Sequence, residues 1–505
     1  MRSTIRHATL FTGQARVPAS LREQLAMATL AWVFGSYWLW TISGAAMTRF
    51  GQELGMPDYA FGLLAALPFV GTLLQVPASW ALERYGRRKP VFIISGVIGR
   101  LMWTVAALIP WWLPGAEAWW WPTMLVTLLI SWAAAHAGTP AWMNWMSDLI
   151  PRKIRGRYFA VRNLIGQPIG LLVTLAVGFL LDQASAAQAF DGGEGLMLKV
   201  TAGVLAVGGL MGMLDILCFR WVGDAQAHEH VPDTQGVLRM LWSPMREKNF
   251  RRYLAFNFVF MLAIGFVGQY TWLYVFDVVG WSNWQANFLL LGVPLIVRMG
   301  CYPLWGRLVD RLGKKPVLLV TGVVTTFGAV GWLLITPEQF WPGYGLILLT
   351  AFAWPGMEIA NFNFILDMAG TRRDEKTHED RRVAGSACVA LNSVAIAIGG
   401  VVSGLFAAAV AKGFGDVRET FVIGGLTVIF TYHGLLFLIS TVLRGLSLVW
   451  AVGLEEPAAT GTRDAIRYMT ASLYSNVRQA AFLPARVVGH AARWSYRVNG
   501  HGPKR

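Results

Sequence analysis

Along most of the chain the apolar residues run in unbroken blocks, not at the spacing of a half-buried helix or strand. The longest are Leu30–Ala46, Val91–Trp112, Leu171–Leu181, Val204–Phe219, Val317–Ile335 and Val422–Val442. About 20 apolar residues carry a helix across a hydrocarbon layer roughly 30 Å thick. Only helices and closed barrels satisfy their backbone there, and the ten-residue alternation of barrel strands is absent, so the blocks predict helices. Twelve transmembrane helices are expected, near 25–49, 59–81, 90–112, 122–147, 159–182, 197–220, 252–276, 285–306, 316–337, 343–366, 384–410 and 420–444. Trp111, Trp112, Trp119, Trp120 and Trp121 bracket a short loop as an interfacial belt does. Ser20-Leu21-Arg22-Glu23 has the spacing of a capping box and predicts the start of the first helix.

Composition agrees with that pattern. Hydrophobic residues make up 55% of 505, charged residues 14%, and mean hydropathy is +0.48. Soluble domains carry about 25% charged residues, so an ordinary soluble fold is excluded. The formal charge of +15 would suit nucleic acid, but its distribution argues otherwise. With the spans above, 37 of the 43 Lys and Arg fall on one face, hereafter the basic face. Arg49, Lys199, Lys412 and Arg418 fall on the other, and Arg100 and Arg298 inside the membrane. This positive-inside bias sets the basic face, with both termini, in the cytoplasm. Anionic inner-leaflet lipid is then its expected partner, and no nucleic acid. Cys218, Cys301 and Cys388 sit in apolar segments without paired spacing, so neither disulfides nor a metal site is expected. The basic start, Met1 to Arg22, is not followed by a short apolar region and a small-residue cleavage site, so no cleaved signal peptide is expected.

The two halves of the chain repeat each other. At a shift of 226, Ala60, Leu63, Leu64, Pro68 and Pro77 fall on Ala286, Leu289, Leu290, Pro294 and Pro303. At 227, Arg84 and Gly86 meet Arg311 and Gly313; at 219, Ala141, Asn144 and Asp148 meet Ala360, Asn363 and Asp367. The second and eighth spans therefore correspond, as do the fourth and tenth. Equal six-span halves in the same orientation are parallel repeats, an architecture that places its site near the midplane between them and suits alternating access. The expected divisions are an N-terminal segment (1–24), a first six-helix bundle (25–220), a central loop (221–251), a second bundle (252–452) and a basic tail (453–505). Within the tail, Ile466, Met469, Leu473, Val477 and Ala480 recur at helical spacing among Arg463, Arg467 and Arg478, predicting an amphipathic helix on the inner leaflet.

The loop after the eighth span reads Gly306-Arg307-Leu308-Val309-Asp310-Arg311-Leu312-Gly313-Lys314-Lys315-Pro316. The loop after the second carries a weaker copy, Glu83-Arg84-Tyr85-Gly86-Arg87-Arg88. After the fourth span comes Asp148-Leu149-Ile150-Pro151 with Arg155-Gly156-Arg157, echoed in part by Asp367 to Gly385. The first pair resembles the G-x-L-a-D-R-x-G-R-K signature of the major facilitator superfamily, the second its D-x-x-P-x-x-x-R-G pattern. The resemblance covers the membrane region and leaves the tail outside. It implies two six-helix bundles that rock about a central solute site, with no cofactor. Glycine in such a loop permits a tight turn. A carboxylate and an arginine at the helix ends would hold one conformation closed through ion pairs. Asn144 and Asp148 share a helical face, as do Asn363 and Asp367, and are expected to pin the next helix at a gate. The superfamily's proton antiporters carry an arginine where this chain has Leu128, and Gly166-Gln167-Pro168-Ile169-Gly170 only loosely matches their fifth-span pattern. Drug–proton antiport is therefore not implied.

An ionisable group inside a span costs about 2.5–3.5 kcal/mol on insertion scales and marks a functional candidate. By the superfamily's arrangement the first, fourth, seventh and tenth helices line the cavity, flanked by the second, fifth, eighth and eleventh. Glu358 in the tenth and Arg298 in the eighth then lie within reach of solute or proton. Asn361 shares a face with Glu358 at i,i+3. Glu358 is the candidate site for a coupling proton or a cationic group, with Arg298 as counter-charge; a pair that only joins two helices is the alternative. Arg100 and Asp215 are expected to pair structurally. His136, Gln269, Tyr270, Tyr37, Trp38 and Trp40 are candidates to stack on or hydrogen-bond a polar solute, or to form the aromatic belt. The expected protein is a monomeric secondary transporter of a small organic solute, in a bacterial inner membrane or another plasma membrane. A solute receptor that does not transport is the alternative. No nucleotide-binding loop occurs, and His136 and His433 have no carboxylate in sequence reach, so neither an ATP-driven pump nor an enzyme is expected.

Overall fold

A computed structural model describes residues 19–75, 77–78, 88–191, 195–223, 244–370, 378–415, 417–423 and 425–456. The N-terminal segment before 19, most of the central loop and the amphipathic tail beyond 456 lie outside the described residues. Among those described, 11 helices are long and apolar enough to cross a membrane. Asp58–Leu73 is a shorter apolar helix at the place of the second span, giving the twelve-helix arrangement. The first helix is already formed at Ala19, so Ser20 lies inside it and not at its cap.

Most spans outrun their apolar blocks. The fifth extends over Arg152–Asp191 and the eleventh over His378–Phe414, well past the width of a hydrocarbon layer. The first ends at Ile42, and a separate short helix, Ala45–Glu53, continues on the face opposite the basic one. Span seven passes into a π-helical turn at Tyr274–Val278, and span eight holds another at Phe288–Gly292. Gly280 makes the link between them at φ 76°, and Ser282 caps the eighth span by accepting from the Gln285 amide. At the basic end of that span Gly313 turns the chain into span nine at φ 95°.

The last span departs from expectation. An apolar helix over 420–444 was predicted, but Arg418–Ile423 (β1) and Leu426–Thr431 (β2) form an antiparallel hairpin, and the helix runs over Tyr432–Val452. Ile423 pairs with Leu426 around a two-residue turn. Runs of Thr, Val, Ile and Phe on either side of Gly424-Gly425 favour strands, and the glycine pair breaks a helix. The Gln339 amide holds β2 like a further strand, donating to the Thr427 carbonyl at 2.7 Å and accepting from its N–H at 3.1 Å. The shift carries Arg444 to mid-helix, where it is buried and donates to the Thr325 carbonyl of span nine at 2.7 Å.

The apolar packing shows how the halves meet. One large core is shared by both, with Phe50, Phe61 and Met124 of the first half packed together with Tyr270, Tyr274 and Phe437 of the second. Towards the basic face this core divides. Trp145, Tyr158 and Phe219 form a cluster within the first half, and Tyr253, Phe256, Trp305 and Phe364 one within the second. Among the described residues the two halves therefore share a core towards the opposite face and keep separate cores towards the basic face.

The second and eleventh spans carry that junction. A Cβ on Gly62 would lie 2.5 Å from the Gly404 carbonyl oxygen, and one on Gly404 would lie 2.6 Å from the Gly62 oxygen. Four residues earlier, Gly400 lies against the ring of Phe69. Without a hydrophobic drive between helices in lipid, small residues at four-residue spacing are what allow such close approach. Gly62→Val is therefore expected to cost the closed junction about 1–3 kcal/mol, roughly 5- to 150-fold in the ratio of closed to open forms. A single cysteine introduced at Thr48 should then label several-fold faster with a membrane-impermeant maleimide. Unchanged labelling would show that the junction tolerates the extra atoms.

Candidate functional site

In the second half, spans seven, eight, ten and eleven surround a cavity of about 460 Å³ lined by Tyr253, Tyr302, Glu358, Asn361, Phe362 and Asn392. Glu358 is its acidic centre. One carboxylate oxygen accepts from the Tyr302 hydroxyl at 2.6 Å, the other from Trp354 Nε1 at 2.8 Å. The Arg298 guanidinium lies 3.4 Å from the second oxygen, and both charged side chains remain partly exposed. Trp354 and Glu358 are one turn apart on span ten, and Arg298 and Tyr302 one turn apart on span eight. Each helix thus presents two groups, and the carboxylate is held by three donors.

Beside it a chain of amides crosses three spans. Asn361 donates to Asn257 at 2.8 Å, and Asn257, buried on span seven, donates to Asn392 on span eleven at 3.0 Å. Tyr253 donates to the Asn361 carbonyl at 2.9 Å. At one end of this chain the Asn361 side-chain oxygen has no donor among the described residues. At the other end the Asn392 amide nitrogen is available to donate. The cavity therefore offers a carboxylate and a donor within one groove, with the unpartnered Asn361 oxygen buried behind its lining, which suits a solute rich in hydroxyl or amine groups.

In the first half Arg100 and Asp215 come together as expected of a pair, at 3.7 Å, with the guanidinium 3.3 Å above the Trp38 ring. Asp215 is buried, and a Cβ on Gly35 of the first span would lie 2.6 Å from its carboxylate. His136 lies 3.0 Å from Gln75 through Nδ1 and against Trp132. The other proposed solute contacts are placed elsewhere. Tyr270 is fully buried beside Tyr432 and His433. Gln269 donates across the junction to Thr48 at 2.9 Å, and Tyr37 packs at the edge of the shared core.

Polar groups complete the junction where the fifth and eighth spans meet. Asp182 accepts from the backbone N–H of Asn283 at 2.7 Å and of Trp284 at 3.0 Å, the first two amides of span eight. A carboxylate at a helix N-terminus satisfies orphan donors and complements the helix dipole. Asn287 accepts from the Ala45 amide at 2.9 Å and donates to the Thr174 carbonyl at 3.0 Å. Arg49 donates to Asn283, Gln52 to Asp277, and Tyr432 to Asp58.

At the basic face the described ion pairs stay within each half. Arg88 pairs with Asp148, and Lys314 with Asp367. These are equivalent positions of the repeat, and in each pair the carboxylate holds the preceding span of its own half, the third or the ninth. Glu456, just past the last span, accepts from the Lys314 and Lys315 amides, while Glu455 pairs with Arg252. Asp310 is exposed, Arg311 is engaged, Gly306 lies within the eighth helix and Asn363 donates to the Ile359 carbonyl. Asn144 is exposed and engaged. Glu83, Arg84, Gly86 and Arg87 lie outside the described residues, and of Arg155 and Gly156 only the helical backbone is described. Tyr302, Trp354, Asn257 and Asn392 were not anticipated; the i,i+4 spacing of Tyr302 from Arg298 and of Trp354 from Glu358 was the available signal.

The family model that matches the chain is that of the Major Facilitator Superfamily, over residues 29–377. No curated protein matches it. Among solved structures the fold is similar to that of a D-xylose-proton symporter, at a TM-score of 0.61 and 16% identity over 86% of this chain and 97% of that one. It is similar also to the nucleoside transporter NupG, at 0.57 and 13% over 86% and 98%. A third is a bacterial homolog of the human lysosomal transporter Spinster, inward-facing and unoccupied, at 0.56 and 14% over 87% and 95%.

The Asp182 contact gives the polar junction a direct test. Asp182→Ala removes the cap from span eight, a loss of about 0.5–2 kcal/mol. Maleimide labelling at the face opposite the basic one should rise roughly 2- to 30-fold, while thermal stability of the unliganded protein changes little. A labelling rate equal to that of the parent protein would assign the closure to the glycine junction alone.

Proposed function

This chain belongs to the Major Facilitator Superfamily, and from that premise we propose that it carries a small polar organic solute across its membrane by alternating access, with Glu358 as the coupling group. The observation that carries this reading is the three-donor cradle of Glu358 at a groove opening between halves that are sealed at one face and apart at the other. With the basic face cytoplasmic, this is the inward-facing state, and the solute enters from the other side once the junction opens. The described basic-face ion pairs join spans of the same half, so each bundle moves as a unit while the junction at the opposite face breaks and re-forms.

The chemistry of the cradle supports coupling. Tyr302 and Trp354 donate to the Glu358 carboxylate, and Arg298 stands beside it as counter-charge. A proton or a cationic solute group arriving from the cavity displaces Arg298, at 3.4 Å the longest of the three contacts. Breaking that link removes the ion pair between the eighth and tenth spans and leaves Tyr302 as their remaining tie to Glu358, and the eighth also carries the Asn283 and Asn287 contacts of the junction. Occupation of the cavity and closure of the opposite face are thereby linked through one helix. Sugars and nucleosides, the solutes that the similar transporters carry, match the donor and acceptor set at Asn361 and Asn392. The reading also places the protein in a plasma membrane as a monomer, with anionic lipid against the basic face.

Flux into proteoliposomes tests the proposal. The parent protein should accumulate a sugar or nucleoside from a screened set, and an inward proton gradient should raise that accumulation. Glu358→Gln keeps one acceptor oxygen in place of two and takes no proton. It should lose gradient-driven accumulation by about tenfold or more, as the loss of a charged hydrogen bond predicts, while solute exchange without a gradient persists. Gradient-driven accumulation that survives the substitution sinks the coupling role. Solute binding without any flux would identify a receptor.

A further inference from the structure

The first half holds a second concentration of buried polar groups that the Glu358 site does not use. Arg162 of the fifth span is 8% exposed. Its guanidinium lies 4.2 Å from the centre of the Trp32 ring on the first span and 5.4 Å from that of Trp142 on the fourth. Two indole faces hold the charge by cation–π attraction. Asp215, the nearby carboxylate, forms its ion pair with Arg100, and no ion pair within 4 Å reaches Arg162 among the described residues. Arg444 also has no carboxylate, but it donates to the Thr325 carbonyl. Arg162 has no described acceptor.

Two more unpartnered groups lie one turn along. Gly166, at i+4 from Arg162, shares its helical face. A Cβ there would lie 2.3 Å from Trp32 Nε1 and 2.5 Å from Ser36 Oγ, so the bare glycine admits both groups beside the arginine. Neither atom has a hydrogen-bond partner, and Ser36 is fully buried. Trp32 Nε1 and the guanidinium only donate, and the hydroxyl donates or accepts. Burial of unpaired donors around a cation whose nearby carboxylate is already paired is costly in a membrane interior. An acceptor-rich anion removes both costs together.

We propose that Arg162, Trp32 and Ser36 form an anion subsite for a carboxylate group of the transported solute, which makes the substrate class an organic acid carrying hydroxyl or amine groups. This rests on the transport reading: the acid end would be held by the first half while the donor-rich remainder meets Glu358, Asn361 and Asn392 in the second. A solute bridging the halves in this way discriminates by charge at one end and by hydrogen bonding at the other. The fixed fork of arginine, stacked between indoles, suits a carboxylate better than a lysine would.

Purified full-length protein is titrated with lactate, succinate, gluconate and glutamate, and with the matching amides, following the thermal midpoint and tryptophan fluorescence. At least one acid should raise the midpoint and change the fluorescence, while its amide does neither. Arg162→Gln should weaken that acid about tenfold or more, and Arg162→Lys should recover part of the loss. Ser36→Ala should weaken it several-fold. If the glutamine variant does not fold, the comparison of acid with amide on the unaltered protein carries the test. Equal response to acid and amide, no response to any acid, or undiminished binding by both arginine variants overturns the anion subsite. A midpoint raised by phosphatidylglycerol but by none of the acids assigns the donors to lipid and overturns it too. Flux of an uncharged sugar in any of those cases leaves the transport reading standing. Absence of flux for every solute, with acid binding intact, removes that reading alone.

Discussion

The second and eleventh spans approach until the backbone of each occupies the space that a side chain of the other would need, and the rest of the molecule is arranged around that contact. Apolar surface has nothing to gain by leaving lipid for another helix, so helices in a bilayer associate through close packing and polar bonds. Gly62 and Gly404 supply the packing, and Asp182, Asn283 and Asn287 supply the bonds where the fifth and eighth spans meet. The first contact is dry and depends on shape. The second is polar and depends on geometry that a rotation of a few ångströms removes. Together they hold one face shut, and the same tilt parts the apolar clusters at the other.

The interior charges divide between two economies. In the second half one carboxylate accepts from two hydrogen-bond donors and faces one counter-cation, so a ligand for Glu358 competes with bonds already made. In the first half two guanidiniums share one carboxylate, and Arg162 rests on indole faces. A group already satisfied acts as a switch, because occupation changes its bonds. A group left wanting an acceptor acts as a receptor, because occupation completes its bonds. Those different roles follow from the count of partners around each charge, not from the type of residue.

Much of the architecture could be read from the chain because the membrane permits few solutions. Apolar blocks give the span number, positive charge gathered in one set of loops marks one face, and Pro68 with Pro294 and Asp148 with Asp367 mark the repeat. The last span was misplaced because hydropathy alone does not distinguish a helix from a hairpin of Thr, Val, Ile and Phe; the Gly424-Gly425 pair carried the missing information. Arg444 was hidden by the same error. Glu358, Arg298, Arg100 and Asp215 stood out as charges in apolar surroundings, and the structure brings each acid beside the arginine named with it. Asn257, Asn392 and Arg162 did not stand out. Neutral amides carry no charge signal, and Arg162 lay close enough to the predicted start of its span to pass for a topogenic charge. Tyr270 is buried in the shared core, and a sequence does not say which face of a cavity-lining helix is turned to its neighbours.

The repeat also explains why the closed face is the one opposite the positive charge. Arg88-Lys89-Pro90 and Lys314-Lys315-Pro316 open the third and ninth spans, and in each half the first of these cations holds the carboxylate that ends the following span. Such pairs bind third to fourth and ninth to tenth without crossing between halves, so they stiffen the bundles and leave their separation free. The contacts that do cross, at Asp182 and at Gly62, lie at the face that holds only four of the Lys and Arg, where Asp182 and Asp277 stand near Arg49, so little repulsion between cations opposes closure there. At the basic face the halves each carry many cations, and bringing them together demands either anions or compensating carboxylates. A carboxylate-bearing solute seated on Arg162 supplies one such charge within the first half. Its binding would therefore lower the electrostatic cost of closing the basic face, which is the movement that transport from this state requires.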